Sequence, residues 1–410
     1  MENTFSALGI TEPWLLALDK GNFRKPMEIQ GLAIPKVIDG TSLIAQAPTG
    51  TGKTLAYLLP ILQGIDTELA HVQAVVLAPT YELSMQIART ARQLADDAGI
   101  PVRTLGLIGG ANIARQVDSL KKKPHLIVGS AGRMMELFRK GKLKLQTVRV
   151  LVLDEFDRLL DDQNLSTVAG LVDVLPKTGM QYLLFSATAP KKAMERASFL
   201  PCPEVLRVKA SPVMAGQRED YCVIVPFRKK LEMLRRLARS IPVKRGLVFV
   251  NKVFDAERTL EKLSYEGIRA ASLLGRADKM TRKKALEDFA KGKVQILLST
   301  DLAARGLDVP EIDYVVNLDL PDSSDIYLHR AGRTARAGLS GAVITLADSK
   351  EARKLEQLEE RLGICIKPWK PKKSDEGKKP KRGDHLQGKQ LAWKKGEGDR
   401  KRLRKEAGLK

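Results

Sequence analysis

The run Ala47-Pro48-Thr49-Gly50-Thr51-Gly52-Lys53-Thr54 has the composition of a phosphate cradle. Its glycines let the backbone curl until several N–H groups converge on one anion. The apolar stretch 55–62 then opens a helix whose N-terminus adds partial positive charge. In such a loop Lys53 reaches the β- and γ-phosphates of a nucleotide, and the Thr54 hydroxyl ligates Mg²⁺. Ala47 stands where the general pattern has Gly. Further along, Val150-Leu151-Val152-Leu153 runs into Asp154-Glu155-Phe156-Asp157. Asp154 is the candidate metal holder, and Glu155 the candidate base that orients and deprotonates an attacking water. An acidic turn after a strand means little alone; paired with the glycine-rich loop it points to triphosphate hydrolysis. In Tyr327-Leu328-His329-Arg330-Ala331-Gly332-Arg333-Thr334-Ala335-Arg336 three arginines recur at intervals of three. Arg333 and Arg336 are the candidates to cover the γ-phosphate as charge shifts in the transition state.

These groups need a scaffold. Short, continuously apolar runs occur at 75–78, 126–128, 150–153 and 182–185, and again at 247–250, 296–298, 314–316 and 343–346. Continuous rather than alternating apolarity predicts strands buried on both faces, as in a parallel sheet covered by helices. The intervening segments read as helical. At 255–265, Ala256, Leu260 and Leu263 share one face, and Gly267 suits the stop. Two series of strand–helix alternation predict two α/β domains with a seam inside 203–220, where Pro203, Pro212, Gly216 and Gln217 interrupt both patterns.

The chain has 410 residues, of which 43% are hydrophobic, enough for two packed cores. Its 70 Lys and Arg against 48 Asp and Glu leave +22, which predicts a polyanionic partner. Half of that excess falls in 366–410, with 17 Lys and Arg against 6 Asp and Glu. Rich in Gly, Pro and Lys, this segment reads as a flexible arm, with Trp369 and Trp393 interleaved to stack on bases. No apolar run is long enough to cross a membrane, the N-terminus lacks the apolar core of a secretory signal, and three cysteines show no zinc spacing. A reducing, cytoplasmic setting is the expectation.

Taken in order, these segments resemble a DEAD-box RNA helicase of superfamily 2, over roughly four-fifths of the chain, with DEFD at 154–157 in place of DEAD. The resemblance implies two tandem RecA-like domains, each a parallel sheet flanked by helices, at 1–205 and 219–365. They are joined by a linker at 206–218 and followed by the basic tail at 366–410. It implies ATP and Mg²⁺ as cofactors and RNA as partner, held mainly through its backbone by a monomer. Asn22-Phe23-Arg24-Lys25-Pro26-Met27-Glu28-Ile29-Gln30 is similar to the adenine-reading segment, so Gln30 would bond the adenine edge and Phe23 stack on its face. RNA contacts would come from Pro79, Thr80, Gly110, Gly132, Arg133, Arg282 and Thr300. Tyr81 and Ser130-Ala131 depart from the family norms PTRELA and TPGR, and Lys279 stands where Gln is usual beside Gly275 and Arg282. Asp308 would hold the ribose. Asp157, Ser186, Thr188, Arg305 and His329 would couple the nucleotide and RNA sites, while Phe156 would point into the packing behind the metal.

The implied activity is RNA-stimulated ATP hydrolysis coupled to local unwinding of short duplexes or remodelling of ribonucleoprotein, in ribosome assembly or RNA turnover. A contrasting reading is an RNA-binding or annealing chaperone with weak ATPase, suggested by Tyr81, Ser130-Ala131 and Phe156. A DNA translocase is disfavoured by Gln30 and the D-E-x-D form.

Overall fold

A computed structural model describes residues 4–110, 112–208, 218–240, 245–251, 253–273, 279–304, 312–335 and 339–369. Its backbone forms two seven-stranded sheets whose neighbouring strands run parallel. The first contains β1 (Leu43–Gln46), β2 (Ala74–Leu77), β3 (Thr104–Leu107), β4 (Leu126–Gly129), β5 (Val150–Asp154), β6 (Gln181–Ser186) and β7 (Glu204–Arg207), in the order β3-β4-β2-β5-β6-β1-β7. The second contains β8 (Arg218–Ile224), β9 (Gly246–Phe249), β10 (Ala270–Ser272), β11 (Ile296–Ser299), β12 (Tyr314–Asn317), β13 (Gly341–Ala347) and β14 (Ile366–Pro368), in the order β10-β11-β9-β12-β13-β8-β14.

The apolar runs form these strands because both faces of each sheet are covered. In β2, Val76 packs into one core while its neighbours Val75 and Leu77 pack into the core on the opposite face. The second sheet divides likewise, with Leu247 and Phe249 on one side and Val248 on the other. Side chains alternating across a pleated strand require apolar residues at every position when neither face meets water. Phe156 is fully buried in the core behind the first sheet.

Two expectations about the boundaries change. The first sheet continues through Arg207, with Val208 in its core, into the segment expected to be linker; residues 209–217 lie outside the described residues. The tail does not start at 366 as composition predicts: Ile366–Pro368 pairs with β8, and the Trp369 N–H donates to the Cys222 carbonyl at 2.8 Å. The Trp369 indole meets the Tyr221 ring edge-on at 4.9 Å between centroids, so it serves the fold rather than a base. The reason is local: Ile366 is an apolar anchor that basic neighbours mask in a composition count, and it is buried. Trp393 and the rest of 370–410 lie outside the described residues.

Candidate nucleotide and RNA site

In a parallel sheet ligands gather at the carboxyl ends of the strands, where loops converge and helices begin. The glycine-rich loop leaves β1 there, anchored by the Ala47 N–H to the Ser186 carbonyl at the end of β6 (3.0 Å). Gly50 and Gly52 adopt left-handed φ of 83° and 79°, which a side chain would resist. A Cβ at Gly52 would also overlap Gln30 Nε2. Thr51 Oγ1 donates to the Pro48 carbonyl (2.7 Å), and Lys53 Nζ donates to the carbonyls of Ala47 (2.7 Å) and Pro48 (2.9 Å). The lysine is thus folded over the cradle at the start of the helix Lys53–Gln63.

Gln30 is buried beside this loop. Its Oε1 accepts from the Met27 N–H (2.8 Å) and its Nε2 donates to the Gly52 carbonyl (3.1 Å). A carboxamide has two acceptor sites and two donors, so half its capacity remains for a base. Phe23 presents its ring at the surface, 44% exposed.

At the end of β5 the buried Asp154 carboxylate is held at both oxygens. Oδ1 accepts from the Glu155 N–H (3.0 Å) and Oδ2 from the Tyr57 hydroxyl (2.8 Å). Burial pushes its carboxyl pKa up, opposed by the Tyr57 hydrogen bond and the Lys53 ammonium. Glu155 sits at φ 54°, a left-handed conformation rarely adopted outside glycine. Burial raises its carboxyl pKa too, and Arg333 of the second lobe is the largest opposing charge.

Asp157 is a hub. It accepts from Ser186 Oγ (2.7 Å) and from Thr188 Oγ1, and His329 Nε2 lies 4.0 Å from its Oδ2. Arg158 Nη2 approaches His329 Nδ1 at 3.2 Å. Burial holds the imidazole neutral, its pKa pushed down to about 4, so Nδ1 accepts from Arg158 and Nε2–H faces Asp157. Two further contacts join the lobes. A Cβ on Gly332 would overlap Thr49 Oγ1, and Arg282 Nη2 pairs with Glu82 Oε1 at 2.9 Å. Arg333 follows Gly332 directly and is largely buried.

Arg330, the first arginine of its triplet, turns inward instead. It is buried, forms a two-pronged pair with Asp301 (2.6 and 2.8 Å), bonds Asn251, Asn317 and the Asp319 carbonyl, and stacks on Phe249.

The expected RNA contacts lie at strand ends and helix starts. Pro79 and Thr80 follow β2, and the Thr80 hydroxyl caps the helix Tyr81–Ala98 by accepting from the Leu83 N–H (3.2 Å). Gly110 has φ 68°. Gly132 and Arg133 open the helix Ala131–Arg139, where Arg133 pairs with Glu136 (3.2 Å). Thr300 Oγ1 accepts from the Ala303 N–H (3.4 Å). Arg305, Asp308 and Arg336 lie outside the described residues, as does Gly275.

Tyr57, Glu82 and Arg158 do not stand out in the sequence. Tyr57 leaves a signal all the same: it lies three residues after Thr54 in a helix, so both face the same way. The candidate metal donors Thr54 and Asp154 make a set of one hydroxyl and one carboxylate, with Tyr57 bonded to Asp154 from the helix that carries Thr54. That set suits Mg²⁺, which takes few protein ligands and completes its shell with phosphate and water. Among the described residues, no three His, Cys, Asp or Glu side chains group to hold a metal by themselves. No helix among them is long and apolar enough to cross a membrane.

Residues 27–197 match the DEAD/DEAH box helicase family, and 229–338 match the helicase conserved C-terminal domain. The DEAD-box ATP-dependent RNA helicase CshC of Bacillus cereus is 42% identical over 85% of this chain and 89% of its own length. The probable ATP-dependent RNA helicase YfmL of Bacillus subtilis is 40% identical over 87% of this chain and 92% of its own. Among solved structures, S. cerevisiae Dbp5 bound to RNA and ADP BeF3 superposes with a TM-score of 0.81 at 28% identity, covering 90% of this chain and 96% of that one.

Proposed function

Because the chain belongs to the DEAD-box family of ATP-dependent RNA helicases, and is therefore an ATPase, we propose that its two lobes act as a clamp. ATP and RNA bind together in it, and hydrolysis releases them. The observation that carries this reading is the close approach of Gly332 to Thr49 in the phosphate loop, with Arg333 next in the chain and its charge felt by the buried Glu155 carboxylate.

In this reading the loop 47–52 wraps the phosphates of ATP, and Lys53 exchanges its two carbonyl partners for phosphate oxygens. Thr54 and Asp154 would hold Mg²⁺, which would supply positive charge to neutralise the phosphates. Glu155 orients a water for in-line attack on the γ-phosphorus and takes its proton; the bond to the β,γ-bridging oxygen breaks, yielding ADP and phosphate. Arg333 covers the shifting charge from the second lobe, with Arg336 assigned the same task. Phe23 and Gln30 receive the adenine, and Asp308 the ribose.

Asp157 with Ser186, Thr188 and His329 links the nucleotide cleft to the lobe interface, and Arg305 is assigned to that link as well. RNA lies across Pro79, Thr80, Gly110, Gly132, Arg133, Arg282 and Thr300. Backbone N–H groups at helix starts suit phosphates and carry no sequence information. Selection of a particular RNA then falls to the basic segment 370–410. We assign the protein to the cytoplasm as a monomer acting on structured RNA or ribonucleoprotein, ribosomal precursors included.

Measuring ATPase rate with and without single-stranded RNA tests this: the clamp requires stimulation, and DNA of the same length should stimulate less. The chaperone reading rests on Tyr81, Ser130-Ala131 and Phe156, and it draws further support from Arg133 and Arg282, whose guanidinium groups already pair with Glu136 and Glu82. An RNA-binding protein whose ATPase ignored RNA would favour it.

A further inference from the structure

Tyr57 touches the nucleotide site from behind. It is fully buried in the helix Lys53–Gln63, and its ring is held by Phe185 at 5.2 Å between centroids. Phenylalanine would fill the same volume with the same ring, so packing accounts for the ring and not for the hydroxyl. A buried hydroxyl is costly unless it finds a partner, and this one finds the Asp154 carboxylate at 2.8 Å. The Asp154 carboxylate is clamped as a result: the Glu155 N–H holds one oxygen and Tyr57 the other. Each oxygen keeps a further lone pair for a cation.

We propose that Tyr57 is a positioning residue for the metal site, its hydroxyl fixing the Asp154 carboxylate in place before Mg²⁺–nucleotide arrives. This rests on reading the cleft as a Mg²⁺–ATP site. Tyr57 acts through the Asp154 carboxylate and touches neither nucleotide nor metal. Outer partners of this kind orient metal-binding groups, and losing one typically weakens metal affinity about 10-fold or more. The Phe185 contact gives the arrangement a second tie, since Ser186 next to it bonds Asp157 and anchors the loop through Ala47.

The test is Tyr57→Phe, read by binding of a fluorescent ADP analogue at increasing Mg²⁺ and in EDTA. The variant should bind nucleotide in EDTA as the parent does, yet need about 10-fold more Mg²⁺ for half-maximal enhancement of binding. Its ATPase should recover as Mg²⁺ is raised. A thermal melt matching the parent's separates this from a folding defect. If the parent responds to Mg²⁺ and the variant responds at the same concentrations, the inference is overturned while the nucleotide site stands. If the parent itself binds nucleotide without regard to Mg²⁺, the site reading fails and this inference with it.

Discussion

The two sheets share one strand order. Numbered from its own first strand, β8, the second sheet repeats the arrangement of the first, so β1 corresponds to β8 and β5 to β12. Their strand ends differ. Beyond β1 runs a glycine-rich turn whose lysine caps loop carbonyls; beyond β8, Val225-Pro226 leads without glycine into Phe227–Lys229 and the helix Lys230–Ser240. Lys230 there is buried and paired with Glu351 (2.6 Å). Beyond β5 stands the Asp154–Tyr57 pair. Beyond β12, the Asp319 carboxylate takes the Asn251 N–H, and its carbonyl takes Arg330. The first lobe gathers Lys53 and Asp154 around a glycine-rich loop, whereas the second uses Lys230, Asp319 and Arg330 for ties within its own fold. A common scaffold does not make a common site; the loops do.

The sharpest way to break this comparison lies in the first lobe. Lys53→Ala should abolish hydrolysis, a loss of at least about 100-fold in turnover, because a preorganised charge is removed from the phosphates. Glu155→Gln should spare binding and trap ATP with RNA, visible as slow dissociation of a labelled oligonucleotide. Normal turnover in either variant would remove the first lobe's claim to the chemistry.

A smaller effect should come from the second lobe. Gly332→Ala puts a methyl where Thr49 already sits, with Thr49 Cβ only 2.9 Å from the new carbon, too close for rotation of the hydroxyl to relieve. Closure should suffer, lowering RNA-stimulated turnover by about 100-fold or less, the scale of a displaced catalytic group. Nucleotide affinity of the first lobe should stay within about twofold of the parent in a fluorescence titration. Unaltered stimulation would mean that the lobes need not meet at this point.

The mildest change should follow removal of 370–410, the most basic part of the chain. RNA affinity should fall, and its salt dependence should flatten by about 0.7 in log–log slope for each phosphate that the segment no longer neutralises, leaving basal ATPase intact. Cutting four residues earlier should differ in kind, since it strips β14 and Trp369 from the second sheet; a lowered melting temperature for that truncation alone would mark the boundary.

Central strands such as β2, β5 and β11 are legible in the sequence because burial on both faces demands an unbroken apolar run. Edge strands are not. In β7 half-buried and exposed positions alternate over four residues, and β10 is three residues of intermediate burial, too little pattern to stand out from a loop. Trp369 misleads for a related reason: charge density dominates the composition of its surroundings, while its partner Tyr221 lies far away along the chain.

The residues of the phosphate loop, the acidic turn and the arginine segment were decided by the sequence alone, because each is a contiguous run whose chemistry is set by neighbours along the backbone. Tertiary structure decided what those runs meet: Tyr57 against Asp154, Glu82 against Arg282, Arg158 against His329, Thr49 against Gly332. These pairs join residues far apart along the chain and, in three of the four, from different lobes. No local periodicity encodes such an encounter; it exists only once the sheets have formed and the lobes have come together.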